Sequence, residues 1–146
     1  MRDLRLIPAA LFVAFPAAAQ IEDAFAQFEA RCLTPMEAVE ASDTDGLTLT
    51  AEDSDSQTWM ADAGAWRLSQ STPEALIQFC AIHGAFGTEV DDWVRAALDS
   101  GRYRPIDSAD PAIQLLQSTT WREPLIEVEI DREGARLTVI ETNLES

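Results

Sequence analysis

The stretch ALIQFCAIHG, residues 75–84, decides between two folds for this chain. It contains Cys80 and His83, and it follows Ser71-Thr72-Pro73-Glu74, which has the pattern of a helix capping box. As a helix, the stretch would place Cys80 and His83 on one face, whereas a strand would point them to opposite faces. Its apolar run, rich in phenylalanine and isoleucine, favours a buried strand over residues 76–82.

A strand here needs a partner. Residues 66–69 (WRLS) alternate between apolar and polar side chains, so we expect them to pair with residues 76–82 across a turn at residues 70–74. The C-terminal stretch LIEVEIDREGARLTVIET also alternates between apolar and polar side chains. It predicts a hairpin turning at residues 131–134, with Glu129 and Arg136 paired across the strands.

Helical patterns flank these strands. Residues 21–32 carry apolar side chains at helical spacing, with Cys32 on the buried stripe, and the sequence TPME predicts a second short helix to about residue 41. Residues 88–100 have the clearest amphipathic pattern, with Thr88 as the expected cap, and Asp110-Pro111 suggests a short helix through residue 116.

The acidic, turn-rich segment between the first helices and residue 57 is predicted to be a solvent-exposed loop region with a short strand at residues 47–50. Together these elements predict the α+β class: a small single domain with an antiparallel sheet of about four to five strands and helices packed on one face.

The N-terminus, MRDLRLIPAALFVAFPAAAQ, has the layout of a secretory signal peptide. Arg2 and Arg5 precede an apolar run, and the alanines at 17–19 provide a cleavage site. The run is shorter than the roughly 20 residues that a membrane-spanning helix needs; a buried N-terminal helix is the alternative. We expect a signal peptide at residues 1–19, a single domain at 20–146, and export to the periplasm or secretion without membrane insertion.

Charge restricts the partners. The chain has 26 acidic residues against ten arginines and no lysine, for a formal net charge of −16. Loss of Arg2, Asp3 and Arg5 with the signal peptide would make it about −17. Such a surface repels nucleic acid and anionic lipid, and it attracts cationic proteins or peptides.

Two cysteines in an exported chain are expected to be oxidised to each other. A Cys32–Cys80 disulfide would attach the first helix to a sheet strand. The alternative, a free or redox-active thiol, has no C-x-x-C motif to support it.

His83 is the only histidine and therefore the catalytic candidate, since its unperturbed pKa is near neutrality. A small hydrolase or lyase using His83 with a nearby carboxylate is one hypothesis, although a surface or structural role at the end of a strand is the simpler interpretation. No nucleophile elbow, phosphate-binding glycine loop or metal-ligand cluster occurs in the sequence, so we expect no cofactor.

Residues 41–52, ASDTDGLTLTAE, approach the calcium-loop pattern, with Asp43, Asp45 and Glu52 as candidate ligands. Ala41 stands where the first aspartate is required, so only weak calcium binding is expected. Trp121 and Arg122, in the polar stretch STTWREP, are candidates for an interaction surface, with core packing of Trp121 as the alternative.

The absence of a catalytic set, together with the export signal, leads to a functional hypothesis: a non-enzymatic binding or interaction module with an acidic surface, acting on a cationic protein or peptide. The hydrolase and the weak calcium-binding protein are the alternatives.

Overall fold

The computed structural model describes residues 23–120 and 125–142. Its helical segments are α1 (Ala24–Phe28), a π-helical turn (Glu29–Leu33), α2 (Thr34–Ala38) and α3 (Glu89–Asp99). Its strands are β1 (Thr48–Glu52), β2 (Ser56–Met60), β3 (Trp66–Ser71), β4 (Phe79–Gly84), β5 (Tyr103–Ile106), β6 (Ile113–Ser118), β7 (Leu125–Asp131) and β8 (Arg136–Thr142).

All eight strands join one antiparallel sheet in the order β1-β2-β3-β4-β8-β7-β6-β5. Each half of the sheet is a four-stranded meander that follows a helical segment, and the halves meet where β4 pairs with β8. The outer strands are β1 and β5. Pro105 lies in β5, where an edge strand tolerates its missing N–H, and β1 has a register shift between Leu49 and Ala51.

The predicted fold, four to five strands with helices packed on one face, is wrong. The structure is a small single domain that consists mostly of an eight-stranded antiparallel sheet. Eight strands spaced by about 4.8 Å span roughly 34 Å, whereas the 11 residues of α3 extend only about 16 Å. The helical segments contact mainly β4, β8 and β5, so they are too short to cover such a sheet.

The segment that was expected to be solvent-exposed with a short strand at residues 47–50 contains two strands. The expected strand is present as β1, which starts at Thr48 and extends to Glu52, and β2 was not predicted. β2 is half-buried at every position, so burial does not alternate along it. The turn between the two strands is formed by Asp53, whose carboxylate accepts the N–H groups of Asp55 and Ser56. These hydrogen bonds lower the pKa of the Asp53 carboxyl.

The short helix expected at residues 110–116 is also wrong. Asp110 accepts the N–H of Ala112 in a turn, and strand β6 begins directly afterwards at Ile113. Asp-Pro begins turns as readily as helices, and cross-strand pairing of β6 with β5 and β7 decided the outcome here.

Residues 79–84 form a strand, as expected, and pair with β3 and β8. The predicted start at Leu76 is wrong, because residues 72–78 form a loop. Leu76 and Ile77 are 94% and 62% exposed instead of buried in the sheet.

The predicted amphipathic helix is confirmed as α3. Thr88 makes no side-chain capping hydrogen bond; instead the Glu89 carboxylate accepts the N–H of Gly87, which lowers the pKa of Glu89. The predicted second helix does not start separately at Thr34, because the backbone stays helical through it from α1 to α2.

The core lies between the helical segments and one face of the sheet. Phe25 and Phe28 of α1 and Val90 and Val94 of α3 pack with buried residues from six strands. Those strand residues are Trp66, Leu68, Cys80, Ile82, Tyr103, Leu116, Ile126, Val128, Ile130, Leu137 and Val139. The C-terminal hairpin is confirmed, and the Arg136 guanidinium lies 2.7 Å from the Glu129 carboxylate, as expected.

Candidate functional site

The two cysteines are joined. Cys32 in the π-helical turn forms a disulfide with Cys80 in β4, with the two Cα atoms 5.3 Å apart. Both residues are fully buried. The predicted disulfide is therefore confirmed, and it fastens the N-terminal helical segment to a central strand of the sheet.

Cys80 and His83 do not form a pair. They lie three residues apart on β4, so they project from opposite faces of the sheet. Cys80 faces the core, whereas His83 is half-buried on the face away from the helices.

His83 lies between two arginines. Arg67 of β3 and Arg136 of β8 are its direct cross-strand neighbours, and Nη2 of Arg67 lies 3.5 Å from Nδ1 of His83. Burial lowers the pKa of His83, and the charges of Arg67 and Arg136 lower it further. In the described part of the chain the hydrogen-bond partner of His83 is this guanidinium, where the hydrolase hypothesis required a carboxylate.

The calcium candidates are divided between two places. Asp43 and Asp45 lie in a turn, and their backbone carbonyls accept hydrogen bonds from the Arg31 guanidinium at 3.1 and 2.9 Å, respectively. Glu52, at the end of β1, accepts a hydrogen bond from Gln57. The turn thus directs its oxygen atoms at a cation that the chain itself supplies, and the third candidate ligand is engaged elsewhere.

Other predicted features lie outside the described residues. Trp121 and Arg122, the candidate interaction residues, belong to the segment 121–124, and the signal peptide belongs to residues 1–22. Within the described ranges, no helix is long and apolar enough to cross a membrane. No group of three or more metal-binding side chains is assembled in those ranges either.

A groove of about 460 Å³, called here the glutamine groove, lies at the end of the sheet where β3 finishes and β4 begins. Three glutamines, Gln57, Gln70 and Gln78, line it, and Nε2 of Gln70 donates to Oε1 of Gln57 across β2 and β3. The apolar lining comprises Met36, Val39, Ala41, Pro73 and Phe79, and the carboxylates are those of Glu40 and Glu141. Within the described part of the chain, none of the lining residues is basic.

The loop beside the groove has a defined conformation because Gln78 organises it. The Gln78 amide donates to the carbonyls of Thr72 and Ala75 and accepts from the hydroxyl of Ser71. Thr72 in turn donates to the carbonyl of Ser54 in the β1–β2 turn. The loop therefore holds its apolar pair, residues 76–77, in solvent through hydrogen bonds at its base.

Val39, which also lines the groove, has a strained backbone. It ends α2 in the left-handed region, with φ 59° and ψ 42°, and its side chain is 68% exposed. Its N–H bonds to the carbonyl of Met36 and that of Glu40 to Pro35, the two hydrogen bonds of a Schellman motif. Glycine usually occupies this position, and a β-branched residue here is unusual. Strain of this kind is a reason to suspect a functional surface.

The sequence did not reveal this groove. Its polar lining comes from residues far apart in the chain that only strand pairing brings together. Leu76 and Ile77 looked like part of the buried strand, since exposed and buried apolar residues are indistinguishable in a short run. The useful signal was the turn sequence Thr72-Pro73-Glu74, which marks the start of a loop.

A pair of acidic side chains was also missed. Asp23 caps α1 by accepting the N–H of Phe25, and its carboxyl interacts with that of Glu89 at the start of α3. Burial raises the pKa of Asp23, and the hydrogen bond with Glu89 raises it further. The pair connects the starts of two helices, so its evident effect is on packing.

Comparisons of the chain with protein-family models, with curated proteins and with solved structures gave no match. Functional inference therefore depends on the geometry of the protein's own residues, and two places are considered: the glutamine groove, and a pocket of about 280 Å³ that is lined by Arg67 and His83.

Proposed function

We propose that this chain is a non-enzymatic binding protein, and that the glutamine groove takes up a cationic, partly apolar segment of a partner protein or peptide. The observation that carries the proposal is the combination of carboxylates in the groove lining with exposed apolar side chains at the groove. Val39 lines it and is exposed, and Pro73 and Gln78, which also line it, belong to the loop that carries the exposed Leu76 and Ile77.

Charge supports a cationic partner. Between Arg31 and Arg67 the sequence has eight acidic residues and no arginine, lysine or histidine, and this segment supplies α2, β1, β2 and much of the groove. Glu40 and Glu141 lie in the lining itself. A cleft with charges of one sign concentrates the field, which speeds association with an oppositely charged partner.

Exposed apolar side chains support a partner that also buries surface. Among the described residues, the most exposed large apolar side chains are Leu76, Val39 and Ile77. Ordered, exposed apolar groups beside a groove are typical of interaction sites. Gln78 and Gln57 are engaged within the protein, whereas the side-chain carbonyl of Gln70 has no described protein partner and can accept a hydrogen bond from a peptide backbone.

Export fits the same function. The signal-like sequence at residues 1–19 predicts the periplasm, and a disulfide persists in an oxidising compartment of that kind. Fractionation of cells that express the full chain would test this part separately.

Binding is tested with a labelled peptide of alternating lysine and leucine. We expect its fluorescence anisotropy to rise saturably at low salt and to weaken with added salt, because screening at 0.1 M acts beyond about 10 Å. Peptides that pair lysine with serine, or glutamate with leucine, should bind much more weakly. No binding of the lysine–leucine peptide at low salt would reject the proposal.

The variant E40Q/E141Q should weaken binding, and so should Leu76→Ser. The matched control is D99N/E133Q, which removes the same charge from residues that do not line the groove. Equal weakening in both double variants would mean that net charge alone attracts the peptide, and it would exclude the groove as the docking site.

The hydrolase and calcium alternatives gain no support from the positions of their residues. His83 bonds to a guanidinium, and the carbonyls around Asp43 and Asp45 bond to Arg31.

A further inference from the structure

A second pocket, of about 280 Å³, lies at the opposite ends of the same strands. Arg67 and His83 line it, together with Met60, Trp66 and Ala135 and the glycines of the adjoining turns. Arg67 and His83 are direct cross-strand partners, and Arg136 follows in the same row. Three basic side chains therefore lie side by side on neighbouring strands of a strongly acidic protein.

Arg67 lacks the counter-ion that four of the seven arginines in the described ranges have. Arg31, Arg95, Arg132 and Arg136 each lie within 4.0 Å of a carboxylate. Within residues 23–120 and 125–142, Arg67 forms no such ion pair, although carboxylates outnumber arginines, and its side chain is exposed. Its described hydrogen bond goes to the imidazole of His83.

The two charges that act on His83 are both guanidinium groups. From β3 it faces Arg67, and from β8 it faces Arg136. The carboxylates of Glu129 and Asp131 on β7 lie 2.7 and 3.6 Å from the Arg136 guanidinium, on the side away from Arg67. They therefore neutralise Arg136 and leave Arg67 unbalanced.

The imidazole completes a set of donors. Burial lowers the pKa of His83, and the two guanidinium groups lower it further, so the ring is neutral near pH 7. A guanidinium can only donate, so the neutral tautomer that fits its contact with Nδ1 has the hydrogen on Nε2, which can then donate. Protonation in acid would add a positive charge to the pocket.

We propose that Arg67 and His83 form a binding site for an oxyanion, the carboxylate or phosphate group of a small ligand. A guanidinium presents two parallel N–H groups that match the two oxygens of such a group, and the imidazole adds another donor. The pocket has room for a small molecule next to the anion, with Met60, the cross-strand neighbour of Arg67, as apolar surface. This site is independent of the glutamine groove and takes a ligand of the opposite charge.

The single histidine makes the test direct, because the imidazole resonances in an NMR spectrum come from His83 alone. Sodium phosphate and sodium acetate are titrated separately at constant ionic strength, with sodium chloride as the balancing salt. We expect a saturable shift of the His83 signals and a rise in its pKa, since a bound anion stabilises the protonated ring. Tighter binding of phosphate would identify a phosphorylated ligand, and tighter binding of acetate a carboxylate ligand.

Arg67→Gln should raise the dissociation constant roughly tenfold or more, because it removes the charged donor. Arg102→Gln is the matched control, since Arg102 is also exposed and forms no ion pair in the described part of the chain. A shift that stays linear in anion concentration, or saturation that R67Q retains unchanged, would overturn the proposal. Neither result depends on peptide binding, so the anion-site proposal and the glutamine-groove proposal are tested independently.

Discussion

Nη2 of Arg67 lies 3.5 Å from Nδ1 of His83, so the only histidine of the chain has a cation as its neighbour on β3. This arrangement makes protonation of the ring unfavourable in the folded protein. Both residues also line the pocket of about 280 Å³ at this end of the strands. Stability in acid and anion binding therefore depend on the same two residues.

Acid should destabilise the protein through His83. The pKa of this residue is lower in the folded chain than its ordinary value of 6.5, with burial as the main cause and Arg67 and Arg136 as further causes. The folded state then binds fewer protons than the unfolded state, so the free energy of unfolding falls as pH decreases from about 6.5 through the folded pKa. Urea denaturation across this range should show a smaller decrease for Arg67→Gln. An identical decrease in His83→Asn would show that other groups cause it.

Loss of the disulfide should cost much of the stability. Cys32 and Cys80 are 48 residues apart, and the chain-entropy estimate for a loop of this length is about 4 kcal/mol. We expect Cys32→Ala/Cys80→Ala to lower the urea midpoint strongly, and a reducing agent to lower it in the wild type only. Thiol counting of denatured, unreduced protein should find no free thiol. Two free thiols, or an unchanged midpoint, would contradict this prediction.

Val39→Gly should stabilise the protein. The left-handed conformation of Val39 destabilises the folded protein by about 1–2 kcal/mol, and glycine would remove this strain. Glycine also has more conformational freedom in the unfolded chain, which offsets about 0.5–1 kcal/mol of the gain. We therefore expect a net gain of about 0.5–1 kcal/mol by chemical denaturation, together with weaker binding of the lysine–leucine peptide. Val39→Ala, which keeps the Cβ atom, should gain much less. A destabilised glycine variant would mean that contacts of the valine side chain outweigh the strain.

Calcium should not bind in the turn that contains Asp43 and Asp45. Arg31 donates to both backbone carbonyls of this turn and lies 3.8 Å from the Asp43 carboxylate, so a cation would have to displace a guanidinium. Calorimetry with millimolar calcium should show only the heat of dilution. A saturable heat that disappears in Asp45→Ala would prove the opposite, and Arg31→Gln shows whether the guanidinium blocks the site.

Periodic segments could be read from the sequence alone. The α3 helix and the β7–β8 hairpin have regular patterns of apolar residues, and both are present where those patterns lie. The edge of the sheet could be predicted only in part. Alternating leucine and threonine predicted a strand at residues 47–50, which overlaps β1. β2 is half-buried at every position, so its pairing with β1 and β3 leaves no alternation of burial to recognise.

Some features of the candidate sites could likewise be predicted from the sequence, and others depend on how the strands pair. Cysteine count and export context predicted the disulfide, and the lone histidine identified His83 as a residue to examine. That Arg67 stands beside His83 depends on the register of β3 against β4, which places residues 16 positions apart in contact. The glutamine groove likewise depends on β2 pairing with β3.

The sequence by itself determined the acidic charge, the pairing of the only two cysteines, and the segments whose apolar residues repeat at a helix or strand period. Only the tertiary structure decided that eight strands form one sheet and that residues 76–77 lie in solvent. It also decided that the glutamine groove and the pocket lined by Arg67 and His83 lie at opposite ends of the same strands. The physical reason is that periodicity reports burial within one segment. Strand register and loop hydrogen bonds join segments that are distant in the chain. Their contribution to stability depends on which segments pair, and the pattern within a single segment does not show this.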